Sequence, residues 1–454
     1  MKAVVLAGGK GTRLRPLTYT KPKPLLPLAG EPAIVHLIRK LSREGIDEIV
    51  VTTNYFARHL RVALGDGSKY GVLIHHVEEK IPLGTAGSVK NSESMIDETF
   101  AVVQGDNQFE FDLNEVVRVH RKLGALATLA LVEVDDPSEY GIAELSNGRV
   151  TRFLEKPKRE ERFSNLINTG LYIIEPEVLK LVPVGEMFDF SKNLFPLMLE
   201  SKMTLAGFHA DGFWVDIGDP QSYLKANTWA LDKLVRQRKA KEEFVREPSS
   251  LISEKSTLKS PVLLGKNVRI APGATIGPYA CIGDGTEVSA NATIERSVIY
   301  ENTQIGTTSV LSACVVAENC RIGDHVRIER NAVVGAATEL RDNVRVTTES
   351  KVGPWSTVER SATVQGTIQP FENHLDGISE IIERSSVDLR LSNEEARVCW
   401  ALCKLDKADA KGIGRLAGIA GPRIDSVLYG LQERMIVTSF GDAPKMFALA
   451  PAEQ

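Results

Sequence analysis

From position 264 onward, aliphatic residues return at every sixth place: Leu264, Ile270, Ile276, Ile282, Val288 and Ile294. After an irregular stretch that holds Ile299 and Ile305, the series resumes at Val316, Ile322, Ile328, Val334, Leu340, Val346, Val352, Val358 and Val364. Neither the 3.6-residue period of an amphipathic helix nor two-residue alternation produces such a series. A sixfold period fits a chain wound into a triangular coil. Each flat side sends one aliphatic side chain inward, and small residues turn the corners.

The coil is one part of a longer chain. With 454 residues the chain exceeds one ordinary core, and about three domains are expected. It is 43% hydrophobic and 25% charged with a net charge of −4, so bulk charge gives no general affinity for nucleic acid or membrane. No apolar run approaches the ~18 residues of a membrane span and no signal peptide precedes the first strand, so a cytoplasmic protein is expected. Five scattered cysteines suit a reducing compartment. Cys399 and Cys403 would share a helix face as buried thiols rather than as zinc ligands.

Residues 1 to about 235 alternate strands and helices. Met1 to Leu6 reads as a buried strand, 31–43 as a helix, 48–52 and 99–104 as strands, 114–123 as a helix and 127–134 as a strand. This βα alternation predicts a mainly parallel sheet with helices on both faces, with ligands bound beyond the carboxyl ends of the strands. A charged helical connector and linker over 236–260 leads to the coil at 261–368, and a second linker over 369–388 leads to a tail at 389–454. In the tail, Ser392 to Glu395 caps a helix, two more helices surround a glycine turn, and a hairpin follows. This order resembles a winged-helix domain. With only Arg423 and Arg434 on Pro422 to Arg434, the expected role is protein packing or regulation rather than DNA contact.

The first strand opens into Gly8-Gly9-Lys10-Gly11-Thr12-Arg13, and Lys21 and Lys23 follow shortly after. Glycines admit phosphate oxygens to backbone N–H groups, while arginine and lysine add charge. The spacing fits neither the P-loop nor the dinucleotide fingerprint. The whole string from Gly8 to Pro24 resembles GGxGTRLxPLTxxxPKP, the opening motif of the sugar-1-phosphate nucleotidylyltransferases. Ile276-Gly277, Ile282-Gly283 and Ile322-Gly323 likewise resemble the hexapeptide repeats of left-handed parallel β-helices.

The family resemblance implies a reaction and a site. A sugar 1-phosphate attacks the α-phosphorus of a nucleoside triphosphate and pyrophosphate leaves. The attacking oxygen is already anionic, so the protein's task is to align two polyanions and neutralise them. Leu6, Ala7, Gly8, Gly9, Gly11, Thr12, Arg13, Lys23, Glu79, Gly84 and Thr85 would hold the nucleotide, with Arg13, Lys23 and Asp106 catalytic and Lys21 a solvated neighbour. Asp106 and Asp216 would hold Mg²⁺. Gly141, Glu155, Lys156, Asn168 and Gly170, in YG, EKP and NTG strings, would take the sugar phosphate. A carboxylate only accepts hydrogen bonds, so Glu79 suits the N1–H and N2–H₂ donors of guanine better than uracil or thymine. GTAG at 84–87 and GFWVDIGDP at 212–220 also resemble the guanylyltransferase branch of the family that acts on mannose 1-phosphate, so GTP and mannose 1-phosphate are the favoured pair, with UTP or dTTP and glucose or N-acetylglucosamine 1-phosphate as the alternative. A second activity would be acetyl transfer from the coil with His325 as base. A third reading is a non-catalytic regulatory subunit. The coil is expected to drive homo-oligomerisation.

Overall fold

A computed structural model describes residues 1–237, 244–369, Ile378, 391–441 and 445–450. The chain divides into two compact units. The first comprises Met1–Lys10, Lys23–Leu26 and Glu31–Ile217; the second comprises Gly11–Pro22, Pro27–Gly30 and Gly218–Gln454.

The first unit is built on a nine-stranded sheet. Ala3–Leu6 lies between Glu48–Thr53 and Phe100–Gln104, parallel to both, and Leu73–Glu78 runs parallel at the outer side of Glu48–Thr53. Two strands, Arg149–Glu155 and Leu166–Ile174, run against the rest. The expected mainly parallel sheet is present with these two reversed strands inserted. Alternate residues of the central strand serve different cores. Ala3 and Val5 pack with Ile34, Leu37, Ile38, Val116 and Val117 of the helices Ala33–Arg43 and Leu113–Leu123. Val4 packs on the other face with Ala86 and Val89 of Gly84–Lys90 and Phe195 and Met198 of Phe195–Glu200. Because both faces are covered, the central strand reads as a continuous apolar run.

The second unit contains three all-parallel sheets of eight, seven and seven strands. Their strands are two or three residues long and succeed one another in rotation, the arrangement of a β-helix. The sixfold aliphatic residues fill its interior, from Leu264 to Val364. The irregular stretch has a simple origin. Leu264 pairs with Ile282, eighteen residues on, whereas Ile282 pairs with Ile299 and Ile299 with Val316, each seventeen on. Two corners, at Arg296 and Ala313, are each one residue short.

The expected start of the coil at 261 is too late. Phe244–Arg246, Leu251–Ile252 and Thr257–Leu258 already form the first strand of each sheet. Ile252 and Leu258 keep the sixfold spacing, and Pro248-Ser249-Ser250 lies between two coil strands. The connector helix is likewise part of the unit. It spans Pro220–Gln237 and buries Tyr223, Ala226, Asn227, Ala230 and Leu231. The 238–243 part of the expected connector and nearly all of the 369–388 linker lie outside the described residues.

In the tail, the helices Asn393–Leu405, Ala410–Ala417 and Pro422–Glu433 accompany a three-stranded sheet of Lys407–Asp409, Met446–Leu449 and Val437–Phe440. The expected cap is formed reciprocally: Glu395 N donates to Ser392 Oγ (3.3 Å) and Ser392 N donates to Glu395 Oε2 (2.7 Å). Trp355 of the coil donates its Nε1–H to the Leu391 carbonyl (3.2 Å).

Candidate active site

In the first unit, four parallel strands end side by side: Leu73–Glu78, Glu48–Thr53, Ala3–Leu6 and Phe100–Gln104. The residues at or just past those ends, Glu79, Asn54, Leu6 with Gly8 and Gly9, and Gln104 with Asp106, line one pocket of about 410 Å³. This is where an open α/β sheet holds its ligand, because strand ends and the turns after them present backbone groups that no neighbouring strand uses.

The glycines are there for access. A Cβ on Gly8 would meet the Asn54 backbone nitrogen at 3.1 Å, while Gly9 faces open space. Gly84 has φ +71°, and a Cβ there would press on the Phe188 carbonyl oxygen at 2.9 Å. Thr85 is fixed by Asp189, whose Oδ1 accepts from Thr85 N (3.0 Å) and Oγ1 (3.1 Å). Ala7 is buried and donates its N–H to the Thr52 carbonyl (2.9 Å), so it supports the loop.

Glu79 is 6% exposed, and its Oε1 has no hydrogen-bond partner among the described residues. Its Oε2 accepts from Leu83 N at 3.4 Å. Burial raises the carboxyl's pKa above its ordinary value, against the opposing influence of the nearby Ser88 hydroxyl, which itself donates to the Gly84 carbonyl (2.6 Å), and of the Leu83 N–H.

Asp106 and Asp216 stand at neighbouring ends of a two-stranded antiparallel ribbon, Asn107–Phe109 with Trp214–Asp216, in which Asp216 pairs with Asn107. Lys23 lies between them. Its Nζ is bonded to Asp106 Oδ2 and lies 3.2 Å from Asp216 Oδ1. Burial alone would lower the Lys23 pKa, but the two carboxylates outweigh it and hold it above its ordinary value. Lys23 is expected on the triphosphate; in the structure its ammonium neutralises the two partly buried aspartates. Among the described residues no group of three or more His, Cys, Asp or Glu side chains is arranged to hold a metal. Two hard oxygen donors that already draw a cation between them nevertheless fit a divalent metal that keeps several waters.

The expected sugar residues gather around the segment after Phe188. Asn168 Nδ2 donates to Tyr172 Oη (2.8 Å) and Ser191 Oγ (3.1 Å), and its Oδ1 accepts from Gly170 N (3.1 Å). Both N–H groups of its amide are thus used inside the protein, and Asn168 fixes Ser191 and the Gly170 turn instead of presenting them. Glu155 is partly buried, which raises its carboxyl pKa against the opposing Lys156 charge and a bond to Ser191. Gly141 admits Glu155: a Cβ there would lie 2.7 Å from Glu155 Oε2. Gly170, at φ +79°, lies against Gln104 of the pocket wall. Lys156 points elsewhere, half exposed and 3.4 Å from Glu139.

Gly11, Thr12 and Arg13 belong to the second unit, where Gly11 at φ +62° opens a single 3₁₀ turn, Thr12–Leu14. Lys21 is no solvated neighbour: it lies 3.7 Å from Glu301 and 3.9 Å from Glu318, over the Tyr300 ring. His325 occupies an exposed coil corner at φ +58°, with its Nδ1 2.5 Å from Thr308 Oγ1.

Asn54, Ser88, Gln104, Asp189 and Ser191 complete the surroundings and were not anticipated. Asn54 and Gln104 could have been found by asking what ends each parallel strand. Asp189, which lines the pocket, and Ser191, which meets Asn168, carry no local signal, because their partners are remote in the chain.

The family model for nucleotidyl transferases matches residues 2–233, and that for the GMPPB C-terminal domain matches residues 258–368. A UTP–glucose-1-phosphate uridylyltransferase of Synechocystis is 34% identical over 323 residues, 66% of this chain and 83% of its own length. Mannose-1-phosphate guanylyltransferase 1 of Arabidopsis thaliana is 32% identical, over 76% of this chain and 93% of its own length. A mannose-1-phosphate guanyltransferase of Candida albicans is 33% identical, over 81% of this chain and 100% of its own length. With the glycine loop, the strand-end pocket and the paired aspartates already in place, these matches establish that the chain belongs to the sugar-1-phosphate nucleotidylyltransferases and is a nucleotidyl-transferring enzyme.

Proposed function

We propose that the chain joins mannose 1-phosphate to GTP, giving GDP-mannose and pyrophosphate. The observation that carries the choice of base is Glu79. A buried carboxylate oxygen with no partner costs stability unless a ligand supplies donors. Guanine brings two adjacent donors; uracil and thymine bring one flanked by acceptors. The names of the Arabidopsis and Candida relatives support the same reading, and that of the Synechocystis relative keeps uridylyl transfer to glucose 1-phosphate as the alternative.

In this reading the Gly8–Gly9 backbone receives the phosphate chain without side-chain obstruction. The family motif assigns Arg13 to charge developing on the departing pyrophosphate. Asp106 and Asp216 would hold Mg²⁺, which when bound neutralises phosphate charge and aligns the two substrates. Lys23 holds the aspartates together and keeps cationic charge beside the phosphates. Glu155 and Gly141 shape the sugar side, with Ser191 set by Asn168; Gly170, Gly11, Thr12, Leu6, Gly84 and Thr85 keep the roles the motif implies, Ala7 supports the nucleotide loop, and Lys156 reaches the sugar phosphate by leaving Glu139. The coil is read as left-handed and as the homo-oligomer contact, the tail as a winged-helix-like packing element, and the enzyme as cytoplasmic. The domain limits follow the reading above, with the coil starting near 244.

A substrate matrix tests this: GTP, ATP, CTP, UTP and dTTP against several sugar 1-phosphates, with pyrophosphate release as readout. GTP with mannose 1-phosphate should give the highest kcat/KM. A uridylyl or thymidylyl pair ahead by tenfold or more would contradict the substrate assignment.

A further inference from the structure

The Arg13 carbonyl, at the end of the signature loop's turn, is bonded by a side chain and not by the turn's own backbone. In the 3₁₀ turn Thr12–Leu14, Leu14 N donates to Gly11 O (3.0 Å) and Arg15 N donates to Thr12 O (3.2 Å). The next carbonyl in the series is that of Arg13, and its donor would be the N–H of residue 16. Residue 16 is proline and has none. A side chain from far along the chain fills the gap: Lys351 Nζ donates to the Arg13 carbonyl at 3.0 Å.

Lys351 is not alone. Thr20 Oγ1 donates to Glu318 Oε1 (3.4 Å), Lys21 sits with Glu301, Glu318 and Tyr300, and Gln369 Nε2 donates to Tyr19 Oη (3.4 Å). These partners lie in or just after Val298–Ile299, Val315–Val316, Lys351–Val352 and Thr367–Ile368, all strands of the one eight-stranded sheet. One side of the coil is therefore a mould for residues 11–22. Holding the Arg13 carbonyl fixes that residue's backbone and so sets the base from which its guanidinium reaches.

We propose that Lys351 is a positioning residue for nucleotidyl transfer, acting on the reaction through Arg13. The inference rests on the reading of Arg13 as a phosphate-binding residue.

The test is a cycle in the full-length protein, with steady-state pyrophosphate release and thermal melting. Lys351→Met should lower kcat/KM for the nucleotide about tenfold or more while the melting curve is retained, because small misplacements of a charge-bearing group are costly. Lys351→Arg, which can still donate, should restore it to within about threefold, and Lys351→Gln, shorter but a donor, should fall between and serves if the methionine variant melts early. In an Arg13→Ala background, Lys351→Met should cost less than about twofold more, since the two act as one unit. A Lys351→Met enzyme within about twofold of the unaltered one, or losses that multiply fully with Arg13→Ala, would overturn the inference. A costly Arg13→Ala beside a harmless Lys351→Met would overturn this inference alone. A harmless Arg13→Ala would overturn the reading of the site, and this inference with it.

Discussion

The coil and the sheet unit solve the same problem of parallel strands in opposite ways. In the coil every strand is two or three residues long, and each corner resets the chain. The non-glycine corner residues from Asn267 to Ser361 all have φ between +48° and +62°. This left-handed turn is one that Asn and Gly tolerate best, and Asn267, Asn291, Asn302, Asn319, Asn331 and Asn343 occupy it. In the sheet unit the strands are long, the returns run through helices, and the strand ends open onto a pocket. Regularity produces a stiff face on which a loop can be held. Irregularity at strand ends produces a place to bind. The difference teaches that stability and chemistry are carried by different residues, and substitutions should separate them.

The sharpest separation is expected at Asp106. Asp106→Asn should lower kcat about 100-fold or more, as the loss of one charge-organising group commonly does, with little change in melting. A loss of only a few fold would remove Asp106 from the chemistry. The converse is Ile328→Ala, deep in the coil and 1% exposed. It should cost about 2–5 kcal/mol in urea denaturation while kcat per folded molecule is unchanged.

A substitution that touches both sides of the comparison is Glu79→Gln. It should lower kcat/KM for GTP about 10–100-fold, about 1.4–2.8 kcal/mol of transition-state binding, and narrow the preference over UTP. It should also raise the melting temperature of the ligand-free protein at neutral pH. The sign follows from the raised carboxyl pKa. Stability from this group is fully present below its unfolded pKa and is lost as pH rises through the higher folded value. Removing the charge therefore helps above that window and gives nothing below it. Unchanged melting at pH 7 would show that the buried oxygen is satisfied after all. The smallest effect belongs to Arg345→Gln, which breaks an exposed pair with Glu329. It should change stability by about 0–1 kcal/mol and activity not at all.

Much of this was legible in the chain itself. Leu264 to Val364 announced the coil because a repeated turn forces a repeated requirement. Gly8 to Pro24 announced phosphate because close approach and charge need those residue types. The early start of the coil was hidden because the charged run before it reads as a connector and linker over 236–260, although Ile252 and Leu258 keep the period. The partners of Lys23 and Lys21 were hidden for one reason: sequence shows a cation but not its carboxylates, and Asp106, Asp216, Glu301 and Glu318 arrive from elsewhere in the chain. Asp189, Ser191 and Lys351 were silent because their partners are remote and no local pattern marks them.

The account stands on the nucleotide lying across the strand ends of the first unit. A crystal structure with a non-hydrolysable GTP analogue and Mg²⁺ measures this directly. Guanine should lie against Glu79 Oε1 with the phosphate chain over the Gly8–Gly9 backbone and the metal on Asp106 and Asp216. A nucleotide bound elsewhere, with Glu79 Oε1 still without a partner and Lys23 still between the aspartates, would contradict it.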